Sequence, residues 1–169
     1  MRKTDVPLKV LPTEAYFDLI RELLLSCGEA RVRVTGSSML PLLRHLKDCV
    51  ILEPIHSINV GDIVLFDRRN GRYALHRVIK KGTDTFTMAG DNQWHMEKDL
   101  PMDQIVGVVT AIERNGRRID SSSPVLRLYS QVVSLAAFPR INIRKVLRRL
   151  LRPLRTDRKP DDTQKGVRQ

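Results

Sequence analysis

The sequence has only two cysteines, few aromatic residues and no long hydrophobic run. Cys27 and Cys49 lie in apolar surroundings and are not spaced as metal ligands. We therefore expect two buried thiols in a reducing compartment rather than a disulfide framework.

The longest apolar stretch of the C-terminal part, residues 132–138, has seven residues and includes Ser134. A membrane-spanning helix needs about 20. The basic start is not followed by an apolar segment, so no signal peptide is predicted.

The charge of the chain is concentrated at its C-terminal end. The formal net charge is +11. Residues 140–169 hold eleven Lys or Arg and three Asp, a net charge of +8, which leaves +3 for residues 1–139. Any argument for binding to nucleic acid or to a membrane therefore applies to the C-terminal part alone.

The first predicted element is a helix. Thr13 is a suitable N-cap, Gly28 follows the last apolar position, and the residues between them have helical spacing. The apolar positions are Phe17, Ile20, Leu23, Leu24 and Cys27. They predict an amphipathic helix of about four turns that packs on the core.

From residue 31 the apolar pattern changes to short strand-like segments. Predicted strands cover residues 31–34, 49–52, 63–67, 73–79, 85–89, 105–112 and 117–119. Asn70-Gly71 and Asn115-Gly116 predict two hairpin turns, because Asn and Gly tolerate positive φ. The predicted fold is mainly β, a partly closed sheet with one packing helix before it.

The chain divides into four predicted parts: residues 1–29 with the N-terminal helix, the β domain at 30–120, a basic amphipathic extension at 121–155, and a disordered tail at 156–169. Within the extension, apolar residues at helical spacing predict one helix from residue 125 and a second after Pro139. Pro153 is expected to end or kink the second helix.

Three side chains suggest covalent catalysis. Ser38, His76 and Asp91 follow one another along the chain, each in or near a strand-like segment. A serine needs a base to take its proton, and the base works better when a third group orients it. Histidine suits that role because its free pKa lies near 6.5. Taken alone, His76 would more simply be a hydrogen-bonded core residue. Together the three residues favour a serine peptidase.

The motifs around these residues resemble those of type I signal peptidases and the related self-cleaving, LexA-like repressor peptidases. The motifs are Gly-Ser-Ser-Met-Leu-Pro at 36–41, Gly-Asp-Ile-Val-Leu-Phe at 61–66, His-Arg-Val-Ile at 76–79 and Ala-Gly-Asp-Asn at 89–92. His76 occupies the position where the bacterial enzymes carry Lys. In having His there, the sequence is similar to the endoplasmic-reticulum and sporulation branch. The resemblance extends over residues 32–112, about half of the chain.

The resemblance implies a role for each residue. Ser38, immediately before Met39, is the nucleophile, and its amide is the expected oxyanion donor. Met39 is expected to anchor the turn in the core. Ser37 is a mild departure from the Gly or Asp of the family and is expected to assist the oxyanion. The third catalytic member stays open.

The candidates for that third member are three acids. Asp91 belongs to the Gly-Asp-Asn motif and is the first choice, although it would serve equally well to hold the loop by accepting backbone amides. The His-type enzymes have an acid several residues later, for which Glu97 and Asp99 are available.

The predicted function is hydrolysis of a peptide bond in a peptide or precursor, through an acyl-enzyme on Ser38. The resemblance implies small P1 and P3 residues in the substrate. The chemistry needs no cofactor, and the spacing of the other histidines predicts no metal site. The alternative is a non-catalytic or self-cleaving regulatory module whose basic tail binds nucleic acid or membrane. The short segment before residue 31 leaves no room for a helix-turn-helix domain, which disfavours a repressor.

Signal peptidases carry a transmembrane anchor, and none is predicted in this sequence. We expect a cytoplasmic protein whose residues 125–154 attach peripherally to the anionic inner membrane surface. Packing of this segment on the body, with a solvated basic face, is an open alternative. Nucleic acid is less favoured because the tail has no interleaved aromatic residues. The sequence does not predict the oligomeric state.

Overall fold

The computed structural model describes residues 13–151, and residues 138–151 by their backbone alone. The elements are α1 (Thr13–Cys27), β1 (Ala30–Arg33), β2 (Asp48–Glu53), β3 (Ile63–Asp67), β4 (Tyr73–Lys81), β5 (Thr85–Ala89), β6 (Glu97–Pro101), a 3-10 turn (Met102–Gln104), β7 (Ile105–Arg114), β8 (Arg117–Asp120) and α2 (Pro124–Leu151).

Helix α1 spans the predicted residues and ends before Gly28, whose φ of 76° suits a residue without a side chain. Ile20 and Leu24 are its buried positions. The prediction of two buried thiols is wrong for Cys27, which is exposed, and right for Cys49. Residues 25–29 are all exposed, so the last turn of α1 lies outside the core.

The strands form one antiparallel sheet, which confirms the predicted mainly β fold with a helix before it and a helix after it. The strand order is β1-β2-β7-β3-β4-β5-β6. The long strand β7 pairs with β2 on one edge, and with β3 and then β8 on the other. Strand β6 was not predicted, because Glu97-Lys98-Asp99 lacks the apolar alternation of a half-buried strand.

The sheet is buried on both faces where it carries the site. Strand β3 shows this clearly, because its side chains alternate between two clusters. Ile63 and Leu65 join the cluster that contains Ile20 and Leu24 of α1. Val64 and Phe66 join a second cluster on the other face. This explains why the sequence of β3 is an unbroken apolar run.

Helix α2 is continuous over 28 residues. The predicted break at Pro139 is therefore wrong. A proline inside a helix removes one N–H donor, while the bonds of the neighbouring turns are still available to continue the helix. The predicted stop at Pro153 and the predicted disordered tail at 156–169 lie outside the described residues. No helix in the described part of the chain is long and apolar enough to cross a membrane.

A buried carboxylate fixes the segment between β1 and β2. The Asp48 side chain is completely buried and accepts hydrogen bonds from the Arg44 amide at 2.9 Å and from the Arg114 guanidinium at 2.7 Å. Burial alone would raise the pKa of Asp48, but Arg114 and Arg44 lower it well below its usual range. The ionised Asp48 therefore holds the end of the segment that carries Ser38.

Asp48→Asn is expected to lower the free energy of unfolding by about 3 kcal/mol, since it removes the anion from two arginines. The lowered pKa means that the wild type has this stabilisation above about pH 3.8 and loses it as the pH falls through the folded-state pKa. The variant should lack that acid-dependent loss. Urea unfolding at several pH values measures both effects.

Asp103→Asn is the matched control, because Asp103 pairs with Arg69 on the surface, where both side chains are more than half exposed. We expect almost no change in its stability. Equal losses in the two variants would contradict the structural role of Asp48.

Candidate active site

Ser38 lies in the turn that follows β1. Met39 is 2% exposed and packs in the same cluster as Leu43, while the Ser38 side chain is half-buried at the wall of a groove. The amide of Gly36 donates to Nδ1 of His45 at 2.8 Å, which braces the start of the turn. The buried Met39 and the braced Gly36 therefore fix the position of the serine between them.

The groove beside Ser38 has a volume of about 580 Å³ and also contains His76 in its wall. Its other lining residues are Thr13, Tyr16, Phe17, Val32, Arg33, Thr35, Gly36, Ser37, Leu65, Arg68, Tyr73, Ala74, Leu75 and Gln93. Phe17 stacks on Tyr73 with ring centroids 3.4 Å apart. Helix α1 thus forms one wall of the groove, which was not predicted; the sequence indicated only a packing role.

His76 is held rigidly on β4. It is 1% exposed, lies opposite Val64 of β3, and has its ring centroid 5.5 Å from that of Phe66. A buried imidazole between two paired strands has little freedom to turn. The structure therefore brings Ser38 and His76, predicted from distant parts of the sequence, to one groove.

The acid next to His76 is Glu97. Its Oε1 is 3.1 Å from Nδ1 of His76, an ion-pair distance, although the angle falls short of a full hydrogen bond. Arg68 is the second partner of this carboxylate, with Nε 2.9 Å from Oε2. Burial alone would raise the pKa of Glu97, but His76 and Arg68 lower it to about 2. Glu97 is therefore ionised at neutral pH.

Asp91 is placed elsewhere. Its two oxygens accept from Nε and Nη2 of Arg77 at 2.8 and 2.7 Å, and Tyr129 of α2 donates its hydroxyl to Oδ2 at 3.2 Å. Asp91, the first choice for the acid beside His76, therefore pairs with Arg77 instead. Adjacent residues of a strand point to opposite faces, so a carboxylate bound to Arg77 lies away from its neighbour His76.

The loop that carries Asp91 instead holds the serine turn. The Asn92 amide donates to the Ser38 carbonyl at 2.8 Å, and its Nδ2 donates to the Ser37 carbonyl at 3.2 Å. Gly90 approaches so closely that an added Cβ would lie 2.6 Å from the Ser38 carbonyl oxygen. The Gly-Asp-Asn motif therefore fits a positioning role, with glycine needed for the close approach.

Asp99, the remaining acid candidate, is exposed on β6. Its φ of 56° is a left-handed backbone conformation. Among the residues that the structure describes, no group of three or more His, Cys, Asp or Glu side chains is placed to hold a metal ion.

Four residues of this region were missed from the sequence: Arg68, Arg77, Tyr129 and Ser130. Arg77 offered a signal, because a charged residue followed by Val78 and Ile79 in a strand is expected to be buried and to need a carboxylate. Its partner Asp91 is 14 residues away. The placement of the other three depends on tertiary contacts, which their local sequence does not indicate.

Comparison with known proteins identifies the family of the chain. No curated protein and no solved structure matches the chain significantly. The family model for Peptidase S24-like proteins matches residues 8–110, more than half of the chain. The match includes Ser38, His76, Asp91 and Glu97, together with α1 and six complete strands. The chain therefore belongs to the Peptidase S24-like family.

Proposed function

We propose that the protein is a serine endopeptidase with Ser38 as nucleophile and His76 as base. One observation carries the proposal: a half-buried serine and a buried histidine line the same groove, and an ionised carboxylate lies 3.1 Å from the far nitrogen of the imidazole. A serine, a histidine and an acid close to one groove are the residue types that acyl transfer uses, and their proximity supports the proposal.

In the proposed reaction, Ser38 Oγ attacks the carbonyl carbon of the scissile bond while Nε2 of His76 takes the hydroxyl proton. The tetrahedral intermediate collapses, the C–N bond breaks, and the imidazolium gives its proton to the leaving amine. Water then attacks the acyl-enzyme with His76 as base, which releases the acid product and restores the serine. The Ser38 amide would donate to the oxyanion.

Glu97 is the orienting group in this proposal, in place of Asp91. An anion beside Nδ1 favours the tautomer with the proton on Nδ1, and so leaves Nε2 free to accept one. It also stabilises the imidazolium as it forms. The bent contact at 3.1 Å is compatible with this role, because such bonds often tighten only in the complex with substrate.

The substrate in this proposal is an extended peptide. Val32 and Arg33 of β1 line the groove, and in the described part of the chain β1 pairs with β2 alone. An extended segment can therefore add to the other edge of β1 through main-chain hydrogen bonds. Maturation of a peptide or precursor in the cytoplasm fits this mode, and the resemblance to signal peptidases implies small residues at P1 and P3.

A fluorophosphonate or boronate serine probe tests the nucleophile and the base. We expect Ser38→Ala and His76→Ala to abolish labelling, and Ser37→Ala to retain it. Wild-type labelling should rise with pH between about pH 5 and 9, since the base must be unprotonated. Circular dichroism of each variant verifies folding. Labelling that persists in Ser38→Ala would overturn the assignment.

Glu97→Gln and Asp91→Asn separate orientation from support. We expect Glu97→Gln to lower kcat/KM for a fluorogenic peptide by about 10²–10⁴-fold. Asp91→Asn breaks a fully buried ion pair, and should lower the free energy of unfolding by about 3–5 kcal/mol. Peptide kinetics and urea unfolding at the same temperature measure the two effects.

The acid stability of Glu97→Gln gives a second readout. The pKa of about 2 in the fold, against 4.5 for a free glutamate, means that ionised Glu97 stabilises the wild type above about pH 4.5, and that this stabilisation fades as the pH falls toward 2. The variant should lack this slope. Full activity of a folded Glu97→Gln would overturn the orienting role of Glu97.

A further inference from the structure

Helix α2 exposes an apolar stripe. Val125, Leu128, Val132 and Leu135 are spaced by three and four residues, and each is 57–78% exposed. This spacing places them on one side of the helix. Scattered exposed apolar residues are ordinary, but a contiguous set of four large ones indicates a surface that binds something.

The stripe is separate from the face that holds α2 to the body. Leu126 packs against the cluster under α1, Ser130 accepts a hydrogen bond from Arg77 at 2.6 Å, and Ala137 packs with Ile79 and Ala89. A partner can therefore cover the stripe while the helix stays attached to the sheet.

One residue of the stripe lies beside a second exposed apolar side chain, which belongs to the body. Leu135 and Val60 both line a cavity of about 640 Å³ between α2 and the sheet, and Val60 is 53% exposed. An exposed apolar side chain of the body therefore lines the same cavity as one end of the stripe.

The charge of α2 indicates the chemistry of that partner. The helix carries Arg127 and five further Lys or Arg from residue 140 onward, and no Asp or Glu. The residues 140–169 bear a net charge of +8. A long helix with an apolar side and only basic charges has the composition of helices that lie in the plane of an anionic membrane.

We propose that α2 docks on an anionic lipid surface through the stripe Val125, Leu128, Val132 and Leu135. A second copy of this chain would bring two basic helices together without a compensating acid. Nucleic acid is a less suitable partner, because bases stack on aromatic side chains and the four residues of the stripe are aliphatic. Binding to nucleic acid would therefore leave these side chains exposed to water. The inference is independent of catalysis.

Flotation of the full chain with vesicles tests the proposal. Vesicles of phosphatidylglycerol and phosphatidylcholine are compared with vesicles of phosphatidylcholine alone. We expect binding to the anionic vesicles alone, weakened by salt. The double variant Leu128→Gln/Leu135→Gln should weaken vesicle binding at least about tenfold, because it removes two apolar side chains that insert among the acyl chains in this proposal. Ser38→Ala should bind as the wild type does, so a failed catalytic proposal would not affect this result.

Leu25→Gln is the matched control, since Leu25 is 89% exposed on α1 and outside the stripe. It should bind like the wild type. All the substituted side chains are exposed, so folding is expected to persist, and circular dichroism verifies it. Three results would overturn the proposal: no binding to anionic vesicles, equal binding by the double variant, or a wild-type dimer in light scattering that the double variant abolishes while vesicle binding is unchanged.

Discussion

The buried ion pair between Arg77 and Asp91 is the interaction on which the rest of the site depends. Both side chains are 1% exposed, so neither charge can be left without its partner. Arg77 also donates to the Gly61 carbonyl at 2.7 Å and to Ser130 Oγ at 2.6 Å. One guanidinium thereby joins β4, the turn before β3, the loop at 90–92 and helix α2. That loop in turn holds the carbonyl of Ser38, so the pair fixes the proposed nucleophile without touching it.

The alternation of side chains along β4 assigns different tasks to its neighbouring residues. His76 points into the groove and meets Glu97, whereas Arg77 points to the other face and meets Asp91. A register slip of one residue would exchange the two, and would put a permanent cation in place of the proposed base. The pairing of β4 with both β3 and β5 opposes such a slip. The same strand therefore carries the proposed base on one side and the supporting arginine on the other.

Local sequence patterns predicted the elements whose formation depends mainly on neighbouring residues. The cap at Thr13, the positive φ at Gly28 and the apolar runs of the strands gave α1 and most of the sheet, and the motifs singled out Ser38 and His76. The partner of Asp91 was not predictable in the same way, because the sequence around residue 91 does not determine which face of β4 its loop contacts. Strand β6 was not predicted for a related reason. Its polar residue Glu97 contacts Arg68 and His76, which are distant in sequence, so the local pattern does not indicate a strand. Pro139 shows the opposite case, in which a strong local signal did not end the helix.

The contacts between α2 and the Arg77–Asp91 ion pair allow the helix to move slightly without disturbing the site. Tyr129 and Ser130 contribute neutral hydroxyl groups to the pair. If α2 shifts on a lipid surface, water can replace a hydroxyl at a net cost of about 1.5–3 kcal/mol for a bond to a charged group. Separating the buried ions themselves costs about 3–5 kcal/mol. A displaced helix is therefore expected to lose its hydroxyl contacts before Arg77 releases Asp91. Since Asn92 and Gly90 stay in place as long as Asp91 does, the position of Ser38 should be insensitive to small movements of α2.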